Sequence, residues 1–157
     1  LAVVVFLRRV SENTTVRVYG EQLDAAEGTD LSKHEVLDLR PGVSVYEIDG
    51  PFFFGAATKF DEIVRLSLEE LPKVRIIRMR KVPFIDSTGI HNLELLIESS
   101  HREGIRIVLS GVRDSVRECL HKAGIDRLIP DDCICNHISK AVVVANAIAD
   151  EAQPAFA

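Results

Sequence analysis

The residues best placed to do chemistry lie in one run, Pro83-Phe84-Ile85-Asp86-Ser87-Thr88-Gly89. They follow a β-rich stretch and precede an amphipathic one, so they mark a strand-to-helix junction. Asp86 or Ser87 suits the helix N-cap, where a side-chain oxygen accepts a hydrogen bond from a first-turn N–H. The start of a helix leaves N–H donors free and favours negative charge. A hydroxyl at that place is exposed, and a phosphate fits beside it. Phosphorylation would add about −1.5 to −2 charges next to Asp86, enough to repel an acidic partner or recruit an Arg-bearing one. A plain capping motif explains the same residues without regulation, and the local chemistry leaves both readings open.

Other chemistry-bearing residues point less clearly. His34, His91, His101, His121 and His137 are scattered along the chain. His91 lies four residues after Ser87 and shares its helix face. A Ser–His pair without an orienting acid or an oxyanion site is weak ground for nucleophilic catalysis. No G-x-S-x-G elbow, P-loop or G-x-G-x-x-G motif occurs, so no catalytic residue is assigned. Cys133-x-Cys135-x-His137, preceded by Asp131 and Asp132, brings metal-ligand types together. However, the spacing is too tight and no second cluster completes a tetrahedral site, so these residues read as structural. With Cys119 the cysteines number three, without the spacing of a disulfide framework. Arg75, Arg78, Arg80 and Lys81 form a basic cluster on a strand. It reads as a solvated strand face, with contact to phosphates or anionic headgroups as the alternative.

The elements that must position these residues follow from periodicity. Val43, Val45 and Ile48 open a strand, and Gly50-Pro51 turns the chain into a second, Phe52–Phe54, stopped by Gly55. A helix is expected over 56–71, with a strand at Val74–Met79. A further helix over 87–102 carries Ile90, Leu93, Leu96, Ile97 and Ser100 on one face, and Gly104 stops it. A strand at 105–109 and a helix marked by Val112, Val116, Leu120 and Ala123 come next. A short strand is expected at 127–129, and a last helix over 136–150 with Asn136 as its cap. Strands alternating with helices imply right-handed crossovers and a largely parallel sheet. The Gly50-Pro51 turn makes one edge antiparallel, so the expected fold is α/β, with a mixed sheet covered by amphipathic helices.

Composition bounds the function. The chain has 157 residues, 46% hydrophobic and 27% charged, which excludes a wholly disordered polypeptide. Its net charge of −5 argues against nucleic acid as a partner. Residues 1–9, LAVVVFLRR, read as the end of a membrane helix followed by an Arg pair of the kind found on the cytoplasmic side. A buried strand is the other reading. Residues 10–41 read as a polar linker, with short extended pieces at 16–19 and 35–39. The compact domain then covers 42–150, and 151–157 is a tail.

Ile85-Asp86-Ser87-Thr88-Gly89, set between a strand and an amphipathic helix, resembles the STAS domain of sulfate transporters and anti-sigma factor antagonists. The run from Gly42 to Ala57 and the apolar segment Leu1–Arg9 are similar to the transporter branch, the SulP (SLC26-type) anion permeases. The resemblance implies a STAS fold and a regulatory, protein-binding domain of a sulfate or related anion transporter. It implies a place at the cytoplasmic face of the membrane, no cofactor, and no enzymatic activity. Pro83, Phe84, Ile85, Asp86, Gly89 and His91 would form the partner-binding loop. Ser87, with Thr88 beside it, would be the site of phosphorylation. Nucleotide binding, proposed for the wider family, would involve Phe53, Phe54, Gly55, Asp86 and Ser87. The implied partners are the protein's own transmembrane domain, a cytosolic protein, GTP or ATP, and a second copy in a full-length transporter. A stand-alone antagonist switched at Ser87 is the alternative.

Overall fold

The computed structural model describes residues 15–19, 22–24, 36–49 and 72–151. The expected elements at 1–9, 52–54 and 56–71 lie outside these residues. Among the described residues there are six strands and three α-helices, the strands being β1 (Thr15–Tyr19), β2 (Gln22–Asp24), β3 (Val36–Asp38), β4 (Val43–Asp49), β5 (Val74–Lys81) and β6 (Arg106–Ser110). The α-helices, in the same order, are α1 (Ser87–Arg102), α2 (Asp114–Lys122) and α3 (Ile138–Glu151). The main sheet runs β1-β4-β5-β6, and β2 pairs with β3 in a separate two-stranded ribbon.

β4, β5 and β6 are parallel, as the alternation of strand and helix requires. The antiparallel edge among the described residues is β1, which pairs Thr15 with Asp49 and Tyr19 with Val45. β1 falls within the stretch read as linker, at the place marked as extended.

Side chains of β4, β5 and β6 alternate between two buried faces. Tyr46, Ile48, Ile77, Met79, Ile107 and Leu109 meet Leu93 and Ile97 of α1 and Val116 and Leu120 of α2. Val45, Val74, Ile76 and Val108 meet Ile138, Ala141, Val142, Ala145 and Ala149 of α3. Small alanines let α3 lie close to the sheet. The result is a three-layer α/β/α sandwich with β5 at its centre, and burial on both faces explains the unbroken apolar character of these strands.

Two expectations need correction. The segment 127–129 is not a strand. Gly124 (φ 79°) ends α2, and Ile125–Arg127 makes a 3-10 turn whose Ile125 carbonyl accepts from the N–H groups of Leu128 and Ile129. Ile125 and Ile129, four apart and both buried, follow a helical period rather than a strand period. The extra sheet contact comes instead from Ile134, in a single parallel bridge with Leu109. The last helix begins at Ile138 rather than at 136. His137 caps it, with Nδ1 accepting from the Ser139 N–H at 3.1 Å. The Ser139 hydroxyl lies 2.7 Å from the same nitrogen. Because the backbone N–H only donates, Nδ1 is the acceptor and the ring proton sits on Nε2.

Candidate partner-binding loop at the start of α1

β5 ends at Lys81, and the chain turns at once, the Val82 N–H donating to the Met79 carbonyl at 3.0 Å. Val82 and Ile85 point into the core, while Pro83 and Phe84 between them are exposed. The two anchors hold the loop in shape and leave Phe84, half exposed, facing out. Asp86 is extended (φ −92°, ψ 176°) and is the helix cap. Its Oδ1 accepts from the Gly89 N–H at 2.6 Å, and its carbonyl accepts from the Ile90 N–H at 2.9 Å.

With Asp86 as cap, Ser87 and Thr88 occupy the first two helical positions and both are exposed. The first turn carries no acidic residue of its own. His91 is also exposed, and its Nδ1 lies 4.0 Å from Glu94 Oε2, so its polar neighbour is Glu94 rather than Ser87. Thr88, His91 and Leu95 then form an exposed stripe running away from Phe84. Pro83, Phe84, Asp86, Ser87, Thr88 and His91 thus share one accessible surface, whereas Ile85 and Gly89 are buried supports. Phe53, Phe54 and Gly55 lie outside the described residues.

The loop stands on a buried charge cluster that sequence reasoning missed. Glu47 of β4 is fully buried, and three cations from β5 surround it. Arg80 Nε lies 3.0 Å and Arg78 Nε 3.6 Å from Oε2, and Lys81 Nζ lies 3.2 Å from Oε1. Burial alone would raise the carboxyl's pKa, but Arg80, Lys81 and Arg78 outweigh it and hold Glu47 below its ordinary value. The solvated-face reading of the basic cluster is therefore wrong for Arg75 and Arg78, which are 2% and 1% exposed. β5 is covered on both faces from Val74 to Met79, and only Arg80 and Lys81 at its end reach water. The available signal was a glutamate inside the apolar run Val45-Tyr46-Glu47-Ile48, which a parallel register sets opposite Arg78.

Arg75 points to the other face. Its Nη1 donates to Ser100 Oγ at 2.9 Å, and the guanidinium carbon lies 5.4 Å from the Tyr46 ring centroid. Among the described residues, Nε and Nη2 have no hydrogen-bond partner. The carbonyl-rich C-terminus of α1, where Ser100 lies, favours a cation there.

Arg113 ties the end of β5 to the start of the next helix. Its Nε and Nη2 both donate to the Arg80 carbonyl at 3.3 Å, just before α2 begins.

The cysteine–histidine run serves the core. Cys133 and Cys135 are buried, and Cys135 Sγ donates to the Asp132 carbonyl at 3.3 Å. Burial, with Asp132 nearby, pushes the Cys133 thiol up to about 11, and burial raises that of Cys135. His137 is occupied as a cap. Among the described residues, no group of three or more His, Cys, Asp or Glu is placed to hold a metal ion.

Three parallel strands between helical layers, with a capped, hydroxyl-bearing loop at the carboxyl end of the central strand, define an α/β domain of the STAS type. The family model for the STAS domain matches residues 36–143. A sulfate transporter family protein from Wolinella succinogenes has a crystal structure similar to this one, with 39% identity and a TM-score of 0.67, over 71% of this chain and 91% of that one. The SulP transporter STAS domain from Vibrio cholerae is 38% identical, with a TM-score of 0.64, over 73% of this chain and 88% of that one. The putative sulfate transporter YvdB of Bacillus subtilis is 31% identical over 127 residues, covering 80% of this chain. The chain belongs to the STAS domain family, in the branch found in SulP transporters. It spans only 22% of the length of YvdB. Among the described residues, no helix is long and apolar enough to cross a membrane.

Proposed function

We propose that this chain is the regulatory, protein-interaction module of a membrane transporter for sulfate or a related anion, held at the cytoplasmic face. Transport itself would reside in a separate membrane domain, and the module would carry no enzymatic activity. The observation that carries this reading is its 31% identity to one fifth of a much longer putative sulfate transporter.

The contact surface is the loop from Pro83 to Gly89 with His91, and Ser87 and Thr88 are its points of modification. Phe84 supplies an apolar contact, and the exposed hydroxyls beside the Asp86 cap supply a place where added charge changes that contact. Removing residues 42–150 from the transporter is expected to reduce anion uptake or the amount of protein assembled in the membrane. Unchanged uptake and assembly in the truncated protein would sink the proposal.

A further inference from the structure

Among the described residues, β6 is the last strand of the main sheet, with β5 on one side only. Successive residues of a strand aim their N–H and C=O groups at opposite neighbours. The Arg106 N–H donates to the Lys73 carbonyl at 2.9 Å, so Arg106 faces β5. The Leu109 carbonyl accepts from the Cys135 N–H at 2.8 Å, so Leu109 faces the outer side. Ile107, one residue after Arg106 and two before Leu109, therefore faces outward as well. At Leu109 the returning chain closes the edge through its bridge to Ile134. About 7 Å earlier along the strand, among the described residues, no backbone group bonds to Ile107 from that side.

A cleft of about 300 Å³ lies there, with Leu128, Ile129 and Pro130 as its facing wall. This is the lower end of ligand-sized cavities, enough for a short extended segment and too narrow for a helix. Ile107 is only 1% exposed, so its N–H and C=O are nearly out of reach of bulk water, where an unpaired backbone group costs free energy. An extended chain supplies the missing donor and acceptor together, at strand spacing. His101 and Arg106, both exposed, line the cleft, and no acidic residue does. Arg102, beside His101 in the last turn of α1, adds a third cation. On a chain with a net charge of −5, that local sign selects an acidic occupant.

We infer that the open part of the β6 edge is a docking site for a short, extended, acidic segment of a partner protein, which adds to the sheet as a further strand beside Ile107. The site lies at the amino end of the parallel strands, and the Pro83–Gly89 loop lies at their carboxyl end, so both contacts fit on one module at once. The inference goes beyond the proposed contact loop and does not rest on membrane attachment.

A nuclear magnetic resonance titration of the 157-residue chain tests it, with a capped peptide of alternating Glu and Val as the probe. The expected result is a downfield shift of the Ile107 N–H proton, the sign of a new hydrogen bond. The same peptide with Lys in place of Glu, or with a methylated backbone, should leave that proton where it was. Arg106→Glu should weaken binding by about tenfold or more, because it sets like charges together. The peptide comparisons use the unaltered chain, so they decide the matter even if that variant folds poorly. An unmoved Ile107 proton at millimolar peptide, or an equal shift from the methylated peptide, would overturn the inference. Shifts confined to residues 84–89 would place the peptide on the loop and overturn edge docking. A shift of Ile107 with protein concentration alone would assign the edge to a second copy of this chain and overturn the acidic partner.

Discussion

Arg78 on β5 sits directly opposite Glu47 on β4, and their side chains meet at 3.6 Å with almost no access to water. Two further cations, Arg80 and Lys81, share the same carboxylate. A single buried anion therefore holds the end of the central strand together, immediately before the candidate loop.

Glu47→Gln should lower stability at neutral pH by about 3 kcal/mol, because it leaves buried cations without their carboxylate. For a domain near 100 residues this is a drop in Tm of about 10 °C or more. The pH dependence has a definite sign. The folded-state value of Glu47 lies below the ordinary 4.5, so its contribution is complete above pH 4.5 and fades as pH falls through the lower folded value. Thermal melts from pH 7 to pH 3 should show the two proteins converging towards the acid end, and a constant gap would contradict the assignment.

Arg75 and Arg78 should respond in opposite ways to replacement by methionine. Among the described residues, Arg75 has two nitrogens without partners and no carboxylate beside it, so Arg75→Met should change stability by less than about 1 kcal/mol or raise it. Arg78→Met should lower stability by about 3 kcal/mol, since it strips Glu47 of a cation. Denaturant titration of both variants separates the two environments, and equal losses would show that Arg75 is no less well compensated than Arg78.

Gly111 and Gly104 both have positive φ, yet alanine should cost unequal amounts. At Gly104 (φ 78°) an added Cβ meets nothing within 4 Å, so only the backbone penalty of about 1–2 kcal/mol applies. At Gly111 (φ 63°) it would lie 2.8 Å from the backbone nitrogen of Arg80 and 2.9 Å from its Cα, which no rotamer change relieves. Gly111→Ala should cost about 3 kcal/mol or more and disturb the Arg113–Arg80 link beside the loop. Urea midpoints of the two variants measure the difference.

Asp86→Ala should destabilise the domain by about 1 kcal/mol through loss of the α1 cap, and Asp86→Asn should retain most of that stability. Ser87→Asp places a carboxylate in the first turn of α1, where the helix dipole favours it, so the fold should be as stable as before or slightly more so. Loss of transport in Ser87→Asp with an unchanged Tm would therefore report on a contact at the surface, whereas a falling Tm would remove that explanation.

Residues whose structure depends on their chain neighbours were legible in advance. The span of α1, from Ser87 to Arg102, follows from its apolar spacing and from Asp86 at its cap. β4, β5 and β6 and their parallel order follow from alternation with helices. The 127–129 error has a local origin as well: a short apolar run fits either period until Gly124 and the Ile125 carbonyl decide it.

Sequence alone determined the helix and strand order, the capped loop and the likeness to STAS domains, because capping and periodicity act over a few residues. Tertiary structure decided what the charges do. A run reading Arg-Ile-Ile-Arg-Met-Arg-Lys does not state whether its strand lies at an edge or at the centre of a sheet. Packing on both faces puts Arg75 and Arg78 out of water, and pairing with β4 brings Glu47 to Arg78 from about thirty residues away. In an aqueous environment these groups would be separately hydrated. In the low-dielectric core Glu47 and Arg78 are matched, and only the three-dimensional register determines which of the arginines finds the carboxylate.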